Sequence, residues 1–274
     1  DVDAKTHPYI STGLKENKFG VPIDDAPALY AEGARHPGLE MMGVTCHIGS
    51  QITSMGPFID AAERMARLAT ALAAAGAPLT HIGMGGGLGV PYHHETPPDP
   101  AVYGAALARV LKPLGLRVIL EPGRVLVGNA GVLLTRVVRR KRGADRDFVI
   151  LDAGMNDLMR PALYDAYHAI EPVTALAGAE AAVDVVGPVC ESADTFARAR
   201  PLGPVAAGDL IALRTAGAYG FVMACTYNGR PRPAEVLCDG EQALLIRSRE
   251  TVADLWRGER RLDGSPVDET LPGC

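Results

Sequence analysis

Several signals are missing or scarce in this sequence, and each absence removes a class of function. No apolar run approaches the roughly 18 residues of a membrane-spanning helix. No secretory leader pattern opens the chain. The five cysteines (Cys46, Cys190, Cys225, Cys238 and Cys274) are odd in number, widely scattered and contain no Cys-x-x-Cys. They read as free thiols in a reducing cytoplasm, not as a disulfide framework or a zinc site. There are only five lysines, and with 27 basic against 32 acidic residues the formal charge is −5. That balance argues against nucleic acid as a partner. The one dense basic run, "RVVRRKR" (Arg136–Arg142), follows an apolar stretch and reads as a solvated edge or turn.

What is present falls into two textures. From Asp24 to Arg124, short apolar runs alternate with helical patterns. "PIDDAPALYAEGARH" reads as a helix capped by Asp24 or Asp25. "PFIDAAERMARLATALAAAG" places Phe58, Ala62, Met65, Ala69 and Leu72 on one face and stops at Gly76. "PAVYGAALARVLKPLG" reads as a further helix, and strands are expected in "MMGVTCHIG", "LTHIGMG" and "LRVILEPG". Alternation of this kind implies parallel βα units. From Val125 the runs "VLVGNAGVLLTRVV", "DFVILDAG", "AAVDVVGPVC", "DLIALRTAG" and "ALLIRSRE" are strand-like and broken by Gly, Pro and Asp. The expected division is therefore an α/β part over 1–124, a mainly-β domain over 125–258 and a loosely ordered tail over 259–274.

The three early strands end in polar or glycine-rich text: "CHIGSQ", "GMGGGLG" and "EPGR". In βα barrels and open α/β sheets, the carboxyl ends of strands carry the site. Gly83 to Gly89 contains five glycines in seven positions. The run fails as a dinucleotide fingerprint, because Leu88 and Val90 stand where the third glycine belongs. It also fails as a Walker loop, since no Gly-Lys-Ser/Thr follows. Two readings stay open: a nest of backbone N–H groups for one anion, or a tight turn with close packing. His47, Ser50, Glu121 and Arg124 lie at the neighbouring strand ends. An imidazole, a hydroxyl, an acid and a base beside a nest suit a flat, phosphorylated, ionisable ring, and pyridoxal phosphate is such a ring. Asp152 and Asp157 read as turn and capping residues, and His93–His94 as loop.

The segments "DVDAKTHPYISTGLKENKFG", "CHIGSQ", "GGGLGVPY", "EPGRVLVGNAGVLLTRV", "LDAGMNDLMRPALYDAYH", "GPVCESAD" and "AGAYGFVMACTYNGRPRPAEVL" occur in this order. Together they resemble the diaminopimelate decarboxylase family, pyridoxal-phosphate enzymes of the alanine-racemase-like fold. The resemblance implies the C-terminal part of a (β/α)8 barrel followed by a β-sandwich or barrel-like domain. It implies a cytoplasmic homodimer with shared active sites, an amino-acid substrate, and conversion of meso-2,6-diaminopimelate to L-lysine through an imine of pyridoxal 5'-phosphate.

By the same resemblance, His47 stacks on the cofactor ring and Ser50 lies near its phosphate. Gly85, Gly86, Gly87 and Gly123 belong to the cofactor site. Glu121, as a buried carboxylate, pairs with the ring nitrogen. Arg124, Arg160 and Tyr164 hold the substrate's distal carboxylate, and Tyr219 touches cofactor and substrate. Cys190 is the candidate proton donor and Glu191 a substrate contact, both reaching the site from the partner subunit. Cys190 also reads as a small buried residue at a strand end, and Arg160 as a surface arginine at a helix start.

The family anchors its cofactor on a lysine in a Tyr-Ala-x-Lys-Ala-like context, and Lys5, Lys15, Lys18, Lys112 and Lys141 all lack it. The expectation is that roughly the first third of the enzyme lies outside this chain, which alone is inactive. The alternatives are another basic-amino-acid or carboxynorspermidine decarboxylase of the same fold, or a non-catalytic remnant that dimerises.

Overall fold

The computed structural model describes residues 2–3, 18–174 and 177–267. Lys5, Lys15, Cys274 and the last seven residues of the expected tail lie outside the described residues. The chain divides into two compact units, Asp1–Ala130 and Gly131–Cys274.

The first unit is built on a parallel sheet of three short strands in the order β1 (Gly43–Thr45), β2 (His81–Gly83) and β3 (Arg117–Ile119). Helices α1 (Ala26–Gly33), α2 (Gly56–Ala74) and α3 (Pro100–Leu111) separate and flank the strands. The α2 stripe is as its spacing predicts: Phe58, Ala61, Ala62, Met65, Ala69 and Leu72 are buried. Phe58 meets Tyr103 of α3 edge-on, with centroids 4.8 Å apart, which ties the two helices through one core. Asp99 caps α3 by accepting from the Ala101 N–H at 2.7 Å, and Pro100 opens the helix without wasting a donor.

Two local expectations are corrected. Asp25 occupies the N-cap position of α1 but has helical backbone angles and makes no side-chain cap bond, since Pro27 already suits the first turn. "VLVGNA" is not strand: Arg124–Val127 form a short helix, α4, followed by a 3-10 turn over Gly128–Ala130. A short apolar run carries no period that separates strand from helix. Arg124 bonds Tyr92 at 2.6 Å, and that contact keeps the segment with the first unit.

The second unit holds a six-stranded sheet in the order β6-β9-β4-β5-β7-β8. Its strands are β4 (Leu133–Arg142), β5 (Asp147–Leu151), β6 (Ile170–Pro172), β7 (Ala181–Val186), β8 (Thr195–Leu202) and β9 (Leu210–Leu213). All neighbours are antiparallel except β5 and β7. A separate hairpin pairs β10 (Glu235–Asp239) with β11 (Gln242–Arg247). The core is fed by alternation, with Val137, Val149, Leu151, Ile211 and Leu213 pointing inward from adjacent strands. The run Arg136–Arg142 is neither edge nor turn but the second half of β4, paired across to β5. Its arginines are all exposed although they alternate between the two faces, so the strand keeps both its ladder and its hydrated charges.

Candidate active site

In the first unit, three consecutive strand ends are drawn together by the glycine run. Gly85 and Gly87 have φ of +64° and +104°, which side chains adopt only at a cost. A methyl group on Gly85 would stand 2.6 Å from the Cys46 carbonyl oxygen and 2.9 Å from Nδ1 of His47. One on Gly86 would overlap the Glu121 carbonyl, and one on Gly87 the Gly49 carbonyl. The Glu121 N–H donates to Gly85 at 2.8 Å, and the Ile52 N–H to Gly87 at 2.8 Å. Close packing is thus one reason for the glycines. It also sets backbone amides, His47 and Glu121 side by side.

The Gly86 N–H donates to His47 Nδ1 at 3.2 Å. A backbone N–H can only donate, so Nδ1 is the unprotonated nitrogen and the exposed ring is held in one orientation. Glu121 is exposed in this chain, because it follows β3, whose residues are all exposed at the sheet edge. Ser50 is half-buried on the loop after His47, and Gly123 is the N-cap position of α4. Arg124 is buried and gives its Nη1–H to the Tyr92 hydroxyl at 2.6 Å. Burial pushes the Cys46 thiol up to about 11, so this cysteine stays a thiol beside the site.

Two residues outside the sequence reading shape this cluster. Gln51, at φ +59°, clamps Val90 through Nε2 to the carbonyl at 2.6 Å and Oε1 from the N–H at 3.1 Å. Tyr92 receives Arg124. Both lie inside the quoted segments "CHIGSQ" and "GGGLGVPY", which was the one available signal.

In the second unit the arrangement rests on buried polar side chains. Arg160 opens the five-residue helix α5 (Arg160–Tyr164) and is only 6% exposed, so it is not a surface arginine. Its Nη1 lies 3.0 Å from Nε2 of His168. Tyr164 closes the same helix, half-buried. Cys190 and Glu191 are both exposed on the loop between β7 and β8, so Cys190 is not a buried strand-end residue. That loop is tied down by Asp194, which accepts from the Val189 N–H at 2.7 Å and the Met155 N–H at 2.6 Å. Burial raises the Asp194 carboxyl, outweighing those two bonds. Asp157 is likewise raised by burial, against a bond from the Gly154 N–H and the nearby Arg230 guanidinium. It closes its own turn through the Asp157 N–H to the Gly154 carbonyl, as a capping residue does. Asp152 accepts from Arg136 N–H and the Thr135 hydroxyl. The Tyr227 hydroxyl donates to Glu191 at 3.1 Å, and that carboxylate raises the phenol. Tyr219, between Gly217 and Gly220, has φ +56°, a strained backbone, and is exposed.

Among the described residues no group of His, Cys, Asp and Glu could hold a metal ion. None of their helices is long and apolar enough to cross a membrane.

The model of the "Pyridoxal-dependent decarboxylase, C-terminal sheet domain" family matches residues 9–217. The chain belongs to the pyridoxal-dependent decarboxylase family. Within it, the chain is 53% identical over 262 residues to diaminopimelate decarboxylase of Pseudomonas aeruginosa, covering 96% of this chain and 63% of that protein. It is 52% identical over 259 residues to the diaminopimelate decarboxylase of Neisseria meningitidis serogroup A, covering 94% and 64%. The crystal structure of diaminopimelate decarboxylase from Helicobacter pylori complexed with L-lysine superposes with a TM-score of 0.89 at 44% identity, covering 93% of this chain and 64% of that one. The chain thus spans less than two thirds of the length of these relatives.

Proposed function

We propose that the protein carrying this chain decarboxylates meso-2,6-diaminopimelate to L-lysine, the closing step of lysine biosynthesis, with pyridoxal 5'-phosphate as cofactor. The observation that carries the reading is the convergence of His47, the Gly85–Gly87 backbone and Glu121 at three adjacent strand ends. The residues fit the cofactor: a side-chain-free backbone approach for a phosphate, a flat exposed imidazole held by Gly86 for a ring face, and an accessible carboxylate for a ring nitrogen. When bound, pyridoxal phosphate supplies a sink for the electron pair left as CO2 departs.

The chain's own residues do the rest. Glu121 would hold a proton on the ring nitrogen by opposite charge. His47, held by the Gly86 N–H, would face the ring, Ser50 and the amides of Gly85 and Gly87 would bind the phosphate, and Gly123 and Arg124 would complete the first unit's cofactor contacts. Arg160, with Tyr164 on the same short helix, would grip the distal carboxylate of the substrate. A guanidinium suits a carboxylate there, whereas a diamine-forming decarboxylase needs acids. Glu191, oriented by Tyr227, would take the distal ammonium of the substrate held by the other subunit. The exposed Cys190 thiol, reaching the other subunit's site across the dimer, would give a proton to the α-carbon after the C–C bond to CO2 breaks.

We include a homodimer and a cytoplasmic location in the proposal. The β10–β11 hairpin supports the first, since Val236, Leu237, Leu244, Leu245 and Ile246 are all exposed on it. Exposed apolar side chains clustered on one hairpin suit an interface. Free thiols at Cys46, Cys190, Cys225 and Cys238 support the second.

Borohydride trapping tests the cofactor assignment. The 274-residue chain mixed with pyridoxal phosphate is expected to yield no site-specific lysine adduct, because Lys112 follows α3 and Lys141 lies on β4. A protein that also carries the upstream coding region is expected to yield one, on a lysine flanked by alanine. A fixed adduct at Lys18, Lys112 or Lys141 with turnover would overturn this assignment.

A further inference from the structure

His168 is 1% exposed, the most buried titratable side chain among the described residues of the second unit, and it closes the segment "LDAGMNDLMRPALYDAYH" without a role assigned to it there. A buried imidazole costs free energy unless both nitrogens find partners. Nδ1 lies 2.8 Å from the Arg214 carbonyl oxygen, and Nε2 lies 3.0 Å from Arg160 Nη1. A carbonyl oxygen only accepts, so Nδ1 carries the proton. A guanidinium only donates, so Nε2 offers its lone pair. Both contacts are satisfied by one neutral tautomer and by no other state of the ring.

The backbone around His168 is fixed independently. The Arg214 N–H donates to the Ala169 carbonyl at 2.9 Å, where β6 and β9 begin to pair. Arg200 donates to the His168 carbonyl at 2.9 Å, and its guanidinium covers the Tyr167 ring at 4.1 Å. The imidazole therefore reaches Arg160 from a rigid sheet end. A carboxylate in this place would orient the guanidinium and also cancel its charge. A neutral imidazole orients it without adding an opposing charge.

We propose that His168 is a positioning residue that sets Arg160 for the distal carboxylate of the substrate, and so contributes to the choice of a substrate ending in a carboxylate. This rests on the reading of Arg160 given above. The step involves no proton transfer and no covalent change, only a fixed hydrogen bond.

Two substitutions separate positioning from packing. In His168→Gln the amide oxygen replaces the Nε2 lone pair, and in His168→Asn the amide N–H replaces Nδ1–H but nothing reaches Arg160. In the full-length protein, His168→Gln is expected to keep KM for diaminopimelate within about 3-fold, and His168→Asn to raise it about 10-fold with kcat nearly unchanged. In an Arg160→Gln background the two are expected to be equal. If Asn is the milder change, or if kcat falls while KM holds, the proposal fails. Nitrogen-15 spectra of the unsubstituted protein at pH 7.5 are expected to show a neutral His168 protonated at Nδ1. An imidazolium or an Nε2–H tautomer contradicts it. Should diaminopimelate not be a substrate at all, the functional reading falls, while the nitrogen spectrum still decides whether His168 accepts from Arg160.

Discussion

The two units place their candidate residues by opposite means. In the first, the backbone does the work: strand ends approach so closely that Gly85, Gly86 and Gly87 have no room for a methyl group. The side chains of His47 and Glu121 are exposed and borrow their position from that backbone. In the second unit, loops and a short helix present Arg160, Cys190 and Glu191, and buried polar side chains hold them: His168 behind Arg160, Asp194 beneath the Cys190 loop. A backbone-built cluster fails by steric overlap at one position. A side-chain-built one fails by loss of individual hydrogen bonds, in smaller steps.

The largest effect is expected at Gly86→Ala, whose methyl overlaps the Glu121 carbonyl. Backbone cannot yield as a side-chain tip does, so urea unfolding should report a loss of about 3 kcal/mol or more. A loss under about 1 kcal/mol would show that the strand ends are looser than the contrast requires.

Asp194→Ala comes next. It strips acceptors from the Val189 and Met155 N–H groups, at about 1–3 kcal/mol for buried donors left unsatisfied. Faster alkylation of Cys190 should accompany the loss, since the loop that carries it is released. Unchanged alkylation would show that Asp194 supports the core and not the loop.

The pH dependence of stability then sharpens the comparison within the second unit. Burial opposes ionisation of Asp184, but the Ala199 N–H and Arg146 outweigh it and hold the carboxyl below the usual range. Its contribution is present above the unfolded carboxylate value of about 4 and is lost as pH falls. Asp157 is raised, so its contribution is full below about 4 and is lost as pH rises through its folded value. Stability measured from pH 3 to 7 should show Asp184→Asn growing more costly upward and Asp157→Asn growing less costly. Parallel profiles would refute the assignment. The smallest effect is expected for Arg139→Ser at an exposed position of β4, within about 0.5 kcal/mol by thermal unfolding.

The contrast also explains what the sequence made legible. The βα order and the α2 stripe were readable because a 19-residue amphipathic helix repeats its signal many times. The strands were placed but overestimated: "MMGVTCHIG" yields only Gly43–Thr45, because ladder pairing stops where the glycine run bends the chain away. "VLVGNA" was misread because a short apolar run has no period. In the first unit the cluster is local text, three short motifs at three strand ends, and residue types sufficed to group them. Exposure of Glu121 was not legible, since burial depends on what lies beside an edge strand. In the second unit His168, Asp194 and Tyr227 act across 8, 39 and 36 positions of chain. All three lie inside the quoted family segments, but nothing in the text of those segments says which partner each one holds. Only the sheet that brings them together does.

The central claim is that Arg160, held by His168, serves a substrate with a carboxylate at its far end. Steady-state release of CO2 by the full-length protein, compared between meso-diaminopimelate and ornithine, tests it most directly. The account predicts turnover of diaminopimelate at least about 100-fold more efficient in kcat/KM, with Arg160→Gln erasing most of that ratio through KM. Ornithine turned over as readily, or a ratio untouched by Arg160→Gln, would contradict it.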